Sequence, residues 1–206
     1  FVPLSPSERA AARVQLGLPV DAELVVSVSR LVPRKGFDTA IRAVARLKHS
    51  RPDLLLVIAG GGREEDRLKR LADELDAPVR FLGRVPNADL TPLYGCGDVF
   101  TMLCRNRWGG LEQEGFGIVF IEAASCGVPQ IAGDSGGAAE AVEHGKTGLV
   151  VSEPENVQMV ADAIAQLLDD DDLRASMATR SRERVLEEFS YDVLARRLGE
   201  TLGVFA

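Results

Sequence analysis

The chain has 206 residues, with 24 Lys and Arg against 31 Asp and Glu, a formal net charge of −7, and 46% hydrophobic and 27% charged residues. These values fit one globular domain or two small ones and exclude wholesale disorder. The acidic balance argues against broad contact with nucleic acid, which relies on dense Lys and Arg, and no apolar run approaches the roughly 20 residues of a membrane-spanning helix. In chain order, Ser5-Pro6-Ser7-Glu8 reads as a helix start, with Ser at the N-cap, Pro at the first helical position and Glu three residues on. Gly17 stops that helix. Short apolar runs then alternate with amphipathic stretches: strands at 24–29, 54–59, 79–82, 99–103, 129–132 and 149–151, helices at 37–47, 64–75, 88–94, 117–126 and 137–143. Six strands alternating with helices predict an α/β fold with a doubly wound, six-stranded parallel sheet. Beyond it, helical patterns at 156–168, 171–188 and 191–203 predict a carboxyl-terminal helical extension over 156–206, and residues 1–206 read as one domain. Phe1 stands where an open reading frame would have Met, so the sequence reads as a piece of a longer protein whose function needs a missing half.

Several candidate sites have plainer readings. Cys96, Cys104 and Cys126 form no C-x-x-C pair and no even disulfide set, which predicts a reducing, cytoplasmic setting. Asp169 to Asp172 lie between two helical patterns, where Asp caps a helix. Gly145-Lys146-Thr147 lacks the upstream glycine of a phosphate loop and precedes a strand instead of following one. His49 and His144 have no partner at ligand spacing, so no metal site is expected. Phe81, Phe100 and Phe120 read as core, whereas Trp108 falls in a loop.

In an open parallel sheet, ligands bind beyond the carboxyl ends of the strands. The loops there contain Ser29 to Gly36, Gly60-Gly61-Gly62-Arg63, Gly83-Arg84-Val85-Pro86, Cys104 to Gly110 and Gly133 to Gly137. Glycine lets backbone amides approach an anion, and Arg and Lys add charge, so a phosphorylated ligand is expected. No G-x-G-x-x-G follows the first or second strand, which argues against a dinucleotide cofactor. Arg30 and Lys35, five apart across a turn closed by Gly36, are expected to reach one diphosphate. Glu114 sits just before a helix and Glu122 eight residues later, about two turns further on, so both are expected to face one elongated ligand, and carboxylates suit sugar hydroxyl pairs. Capping and a salt bridge are the equally weighted structural readings of the two.

The run Val28 to Gly36, the E-x7-E pattern of Glu114 and Glu122 around Gly115-Phe116-Gly117, and Cys126-Gly127-Val128-Pro129 resemble the carboxyl-terminal, Rossmann-like half of family 4 retaining glycosyltransferases of GT-B fold. Cys104 to Arg107 before Gly109-Gly110-Leu111, with Ile131-Ala132-Gly133 and Ser135-Gly136-Gly137, is most similar to actinobacterial mannosyltransferases that act on phosphatidylinositol mannosides with GDP-mannose. The resemblance implies that Arg30 and Lys35 grip the donor diphosphate, that Glu114 lies near the transferred sugar and that Glu122 meets the ribose. It further implies that the amides of Gly115, Phe116, Gly117, Ile118 and Val119 surround phosphates and sugar, with the main chain at Val85 near the base and Gly61 among the donor-binding residues. No cofactor beyond the nucleotide sugar is implied; the lipid-linked or small-molecule acceptor, and any membrane contact, belong to the missing amino-terminal half. Ala139 before Glu140, where the family often has Pro, and Gln130 after Pro129 depart from the pattern. UDP-sugar donors, a non-catalytic nucleotide-sugar module and an NAD-dependent epimerase remain as competing readings.

Overall fold

The structure, a computed structural model, describes residues 1–203; the last three positions of the expected extension lie outside the described residues. Helix α1, Pro6–Gln15, opens with the capping box expected from sequence: the Ser5 hydroxyl accepts from the Glu8 amide and the Glu8 carboxylate accepts from the Ser5 amide. Six parallel strands follow: β1, Glu23–Val28; β2, Leu54–Ala59; β3, Val79–Gly83; β4, Val99–Met102; β5, Gln130–Gly133; and β6, Gly148–Val151. Their order in the sheet is β3-β2-β1-β4-β5-β6. The sheet is buried on both faces, and period-two alternation sends neighbouring residues to opposite sides. Val25 of β1 and Leu56 and Ile58 of β2 join one apolar cluster, whereas Leu24 and Val26 of β1 and Val57 and Ala59 of β2 join the other. Each fully buried Val, Leu or Ile there contributes about 1.5–3 kcal/mol relative to exposure.

The intervening helices are α2, Phe37–Leu47; α3, Glu65–Glu74; α4, Asn87–Gly95; α5, Ile118–Ser125; and the single turn α6, Ala138–Ala141. Helix α5 starts at Ile118 because Gly117 at its N-cap has φ of 81°, a left-handed conformation that cannot continue a helix backwards. Glu114 therefore stands just before the helix and Glu122 within it, as the sequence places them. Helix α6 is cut short where Val142 turns extended and is buried.

The carboxyl-terminal helices divide into two kinds. Helix α7, Val157–Asp169, packs on α2 and buries Val160, Ile164 and Leu167, so it forms part of the core layer. Helix α8, Asp171–Arg184, is capped by the Asp170 carboxylate, which accepts from the Leu173 amide at 2.8 Å, as the capping reading of the Asp run expects. It runs into a π-helical segment, Val185–Phe189. Helix α9, Tyr191–Thr201, buries no residue, and Tyr191, Leu194, Leu198 and Leu202 are exposed. Cys96, Cys104 and Cys126 are all buried and unpaired. Among the described residues no helix is long and apolar enough to cross a membrane.

Candidate functional site

The sheet order fixes where a ligand fits. Strand β1 has β2 on one side and β4 on the other, so the chain winds one way from β1 to β3 and the other way from β4 to β6. In an open parallel sheet, ligands bind at the carboxyl edge near such a reversal of strand order. The loop after β1 turns through Pro33 to Lys35 and ends at Gly36, whose φ of 67° starts α2. A Cβ at Gly36 would overlap the Leu103 carbonyl, so glycine is what allows the β1 loop to lie against the end of β4. The Arg105 amide donates to the Arg34 carbonyl at 2.9 Å, joining the same two loops.

A cleft of about 730 Å3 lies along the carboxyl ends of β1, β2 and β3. Arg30, Gly61 and Val85, three of the residues expected around the donor, line it together with Arg34, Arg63, Arg84, Leu90 and Glu112. Four guanidinium groups face one carboxylate. Arg30, Arg63 and Arg84 make no ion pair among the described residues, whereas Arg34 reaches Glu112 at 3.7 Å and Glu114 at 2.7 Å. Unpaired guanidinium groups around a concave wall create a positive field with directed donors for a polyanion.

Lys35 is buried, and its Nζ donates to Glu114 Oε2 at 2.6 Å. Arg34 Nη1 donates to the same oxygen at 2.7 Å, and the Cys104 thiol donates to it at 3.3 Å. Burial on its own would raise the Glu114 carboxyl, but the hydrogen bond and charge of Lys35, with Cys104 and Arg34, outweigh it and hold the carboxyl below its ordinary value. Burial pushes the Cys104 thiol up to about 12, so it remains a neutral donor. All three donors use Oε2; Oε1 has no protein donor among the described residues. An ammonium has three N–H groups, and one is spent on Glu114, which leaves two for another acceptor. Sequence reasoning missed Arg34 and Cys104 as partners of Glu114. Their only signal was position, next to Lys35 and at the end of β4.

Beyond Glu114, the amides of Gly115, Phe116, Gly117, Ile118 and Val119 donate to no protein acceptor among the described residues. They form the amino-terminal approach to α5, where unpaired N–H groups and the helix dipole favour an anion. The loop after β5 supports this turn. The Glu114 amide donates to Ser135 Oγ at 3.2 Å, Ser135 Oγ donates to Asn106 Oδ1 at 2.8 Å, and the Gly137 amide donates to the Glu114 carbonyl at 3.1 Å. The Phe116 ring packs on Phe189 with centroids 5.4 Å apart, which leaves its main chain as the part open to a ligand. Glu122 is half-buried and accepts from the Tyr94 hydroxyl at 2.7 Å. Burial raises its carboxyl above the ordinary value against the opposing Tyr94 hydrogen bond. Glu122 does not line the cleft that holds Arg30.

None of the remaining candidates lines this cleft. His49 and His144 are exposed, and His144 Nδ1 accepts from the Val150 amide. Lys146 is exposed in the turn before β6, with the Thr147 hydroxyl accepting from the Glu143 amide. Phe100 and Phe120 are fully buried, Phe81 is half-buried, and Trp108 is 66% exposed with the Arg107 guanidinium 4.7 Å from its ring. Gln130 is buried and satisfied by the Val128 carbonyl, so it stands on β5 without disturbing the cleft. Among the described residues no group of three His, Cys, Asp or Glu side chains is arranged to hold a metal ion.

Comparisons with known proteins bear on the family and the fold. The family model described as glycosyl transferases group 1 matches residues 8–184. A GDP-mannose-dependent monoacylated alpha-(1-6)-phosphatidylinositol monomannoside mannosyltransferase of Corynebacterium glutamicum is 43% identical over 98% of this chain and 52% of its own length. A GDP-mannose-dependent alpha-(1-6)-phosphatidylinositol monomannoside mannosyltransferase of Mycobacterium tuberculosis is 43% identical over 96% of this chain and 51% of its own. The chain thus spans about half the length of these curated relatives. Among solved structures, Anabaena Alr3699/HepE in complex with UDP superposes with a TM-score of 0.86 at 29% identity, over 98% of this chain and 54% of that one. A sucrose-phosphate synthase from Thermosynechococcus elongatus superposes with a TM-score of 0.84 at 31% identity, over 98% of this chain and 49% of that one. With the family model covering most of the sequence and the sheet carrying the same fold, the chain belongs to the glycosyl transferases group 1.

Proposed function

We propose that this chain is the donor-binding half of a retaining mannosyltransferase that moves mannose from GDP-mannose to a phosphatidylinositol mannoside. The observation that carries the reading is the cleft at the carboxyl edge, where Arg30, Arg63 and Arg84 stand unpaired among the described residues and Arg34 connects the wall to the Lys35–Glu114 pair. A nucleoside diphosphate in that cleft would meet Arg30 directly and take the two remaining N–H donors of Lys35, with the free amides of Gly115 to Val119 facing phosphates and sugar. Glu114 Oε1 would accept from a hydroxyl of the transferred sugar, Glu122 from the ribose, and Gly61 with the main chain at Val85 would border the base. Breakage of the bond between the anomeric carbon and the phosphate oxygen builds negative charge on the diphosphate. Fixed cations at Arg30 and Lys35 bind that charge more tightly as it develops and so lower the barrier. The acceptor hydroxyl attacks on the face the diphosphate leaves, and its proton passes to the departing phosphate oxygen. Glu114, kept ionised by two cations, is unsuited to act as a general acid.

The 43% identity to GDP-mannose-dependent relatives supports guanine and mannose. A UDP-sugar donor is the second reading, favoured by the UDP-bound Anabaena neighbour at 29% identity. On this account residues 1–206 form a single donor domain, and the other half of the enzyme supplies the acceptor pocket and meets the inner face of the membrane from the cytoplasm. Helix α9 packs its exposed apolar stripe toward that half, and no cofactor other than the nucleotide sugar is needed. The test is turnover by the full-length protein with GDP-mannose, UDP-glucose and a phosphatidylinositol mannoside acceptor. Mannosyl transfer with retained anomeric configuration, and none by residues 1–206 alone, is expected. Transfer from UDP-glucose without transfer from GDP-mannose would overturn the donor assignment, and donor binding without any turnover would leave a non-catalytic module.

A further inference from the structure

We infer that Tyr94 is a positioning residue for the donor nucleotide: its buried hydroxyl fixes one oxygen of Glu122 so that the other is presented to the ribose hydroxyls. The inference rests on the reading of Glu122 as the ribose carboxylate. Tyr94 lies in α4 and is fully buried, with its ring against Phe100 at 5.5 Å and Phe1 at 5.7 Å between centroids. Packing of that kind needs no hydroxyl, and a phenol shut away from water without a partner costs free energy. The hydroxyl here has one partner, Glu122 Oε2 at 2.7 Å. Glu122 Oε1 has no protein donor among the described residues, so a single anchored bond sets the plane of a carboxylate whose second oxygen stays available. Helix α4 ties this pair to the cleft, because Leu90, one turn before Tyr94 on the same face, lines the cleft wall beside Val85. A pair of ribose hydroxyls demands a carboxylate of fixed orientation. A freely rotating one would lose much of the bond strength to ordering.

The experiment is calorimetric titration of the 206-residue chain with GDP and with 2′,3′-dideoxy-GDP, with the corresponding uridine pair alongside, for the unaltered protein, Tyr94→Phe and Glu122→Gln. The unaltered chain should bind the ribonucleotide about tenfold more tightly than its dideoxy counterpart. Glu122→Gln should abolish most of that ratio, and Tyr94→Phe should cut it to about threefold while leaving dideoxy affinity unchanged. Thermal unfolding by circular dichroism establishes that each variant is folded. If the unaltered chain shows no ratio, or Glu122→Gln keeps it, the ribose reading of Glu122 fails and the inference falls with it. If Glu122→Gln loses the ratio but Tyr94→Phe keeps it, or weakens both nucleotides equally, Tyr94 is a packing residue and the inference alone is overturned.

Discussion

Replacing Lys35 by Met separates the structural from the chemical role of the ion pair. Methionine keeps an unbranched side chain of similar length in the buried site and removes the ammonium, with its charge and its N–H donors. Removing one partner of a buried pair ordinarily costs 3–5 kcal/mol, because the other charge is left uncompensated. Here Arg34 still holds the same Glu114 oxygen at 2.7 Å, so the loss should be smaller, about 1–2 kcal/mol. At the roughly 2–4 °C per kcal/mol expected for a domain of this size, the midpoint of thermal unfolding should fall by about 2–8 °C. The chemical effect should be larger. Losing one preorganised donor to a developing charge costs about 2.7–4 kcal/mol, so kcat/KM of the full-length enzyme should drop about 10^2- to 10^3-fold. Unfolding followed by circular dichroism and initial rates of sugar transfer measure the two effects on the same preparations. A variant that is destabilised yet retains kcat/KM within about threefold of the parent would refute the leaving-group role, since the pair would then be structural only.

Arg30→Lys should leave stability within about 0.5 kcal/mol, because Arg30 is exposed and makes no ion pair among the described residues. It should nevertheless lower donor affinity about tenfold, since an ammonium cannot reproduce the guanidinium fork; equal affinity by calorimetry contradicts this. Gly36→Ala should destabilise by several kcal/mol because its Cβ would overlap the Leu103 carbonyl at a φ of 67°. Gly83→Ala, with a φ of 66° but open space around it, should cost only about 1–2 kcal/mol by denaturant unfolding. The Glu114 carboxyl is held below its ordinary 4.5, so its ionised form contributes stability that is complete above about that pH and is lost as pH falls through the folded value. The stability difference between the unaltered chain and Glu114→Gln should therefore be flat from about pH 5 to 7 and shrink below 4.5. A difference that grows on acidification would show the sign to be wrong.

The fold was legible because each local signal agreed with the next. The Ser5 to Glu8 capping box, the break at Gly17 and the apolar run Leu54 to Ala59 appear where pattern and propensity place them. What pattern could not supply was adjacency between distant segments. Arg34 meets Glu114 across 80 residues only because β1 and β4 are neighbours at the centre of the sheet, and strand order is not encoded in periodicity. Tyr94 and Glu122 meet because α4 and α5 pack together, a fact of tertiary structure that spacing within either helix does not carry. The start of α5 was legible because Gly117, left-handed at the N-cap, stands where the apolar pattern begins. Helix α7 looked like part of an extension because no strand follows it, yet its apolar face is consumed by α2.

The central claim is that the carboxyl-edge cleft binds a guanosine diphosphate sugar through its unpaired cations. Calorimetric titration of the 206-residue chain with GDP, GDP-mannose, UDP and NAD tests it most directly. The account predicts binding of GDP and GDP-mannose in preference to UDP, weakened as salt rises because exposed charges are screened, with no binding of NAD. Preference for UDP would contradict the donor assignment while keeping the cleft, and binding of NAD alone would contradict the account as a whole.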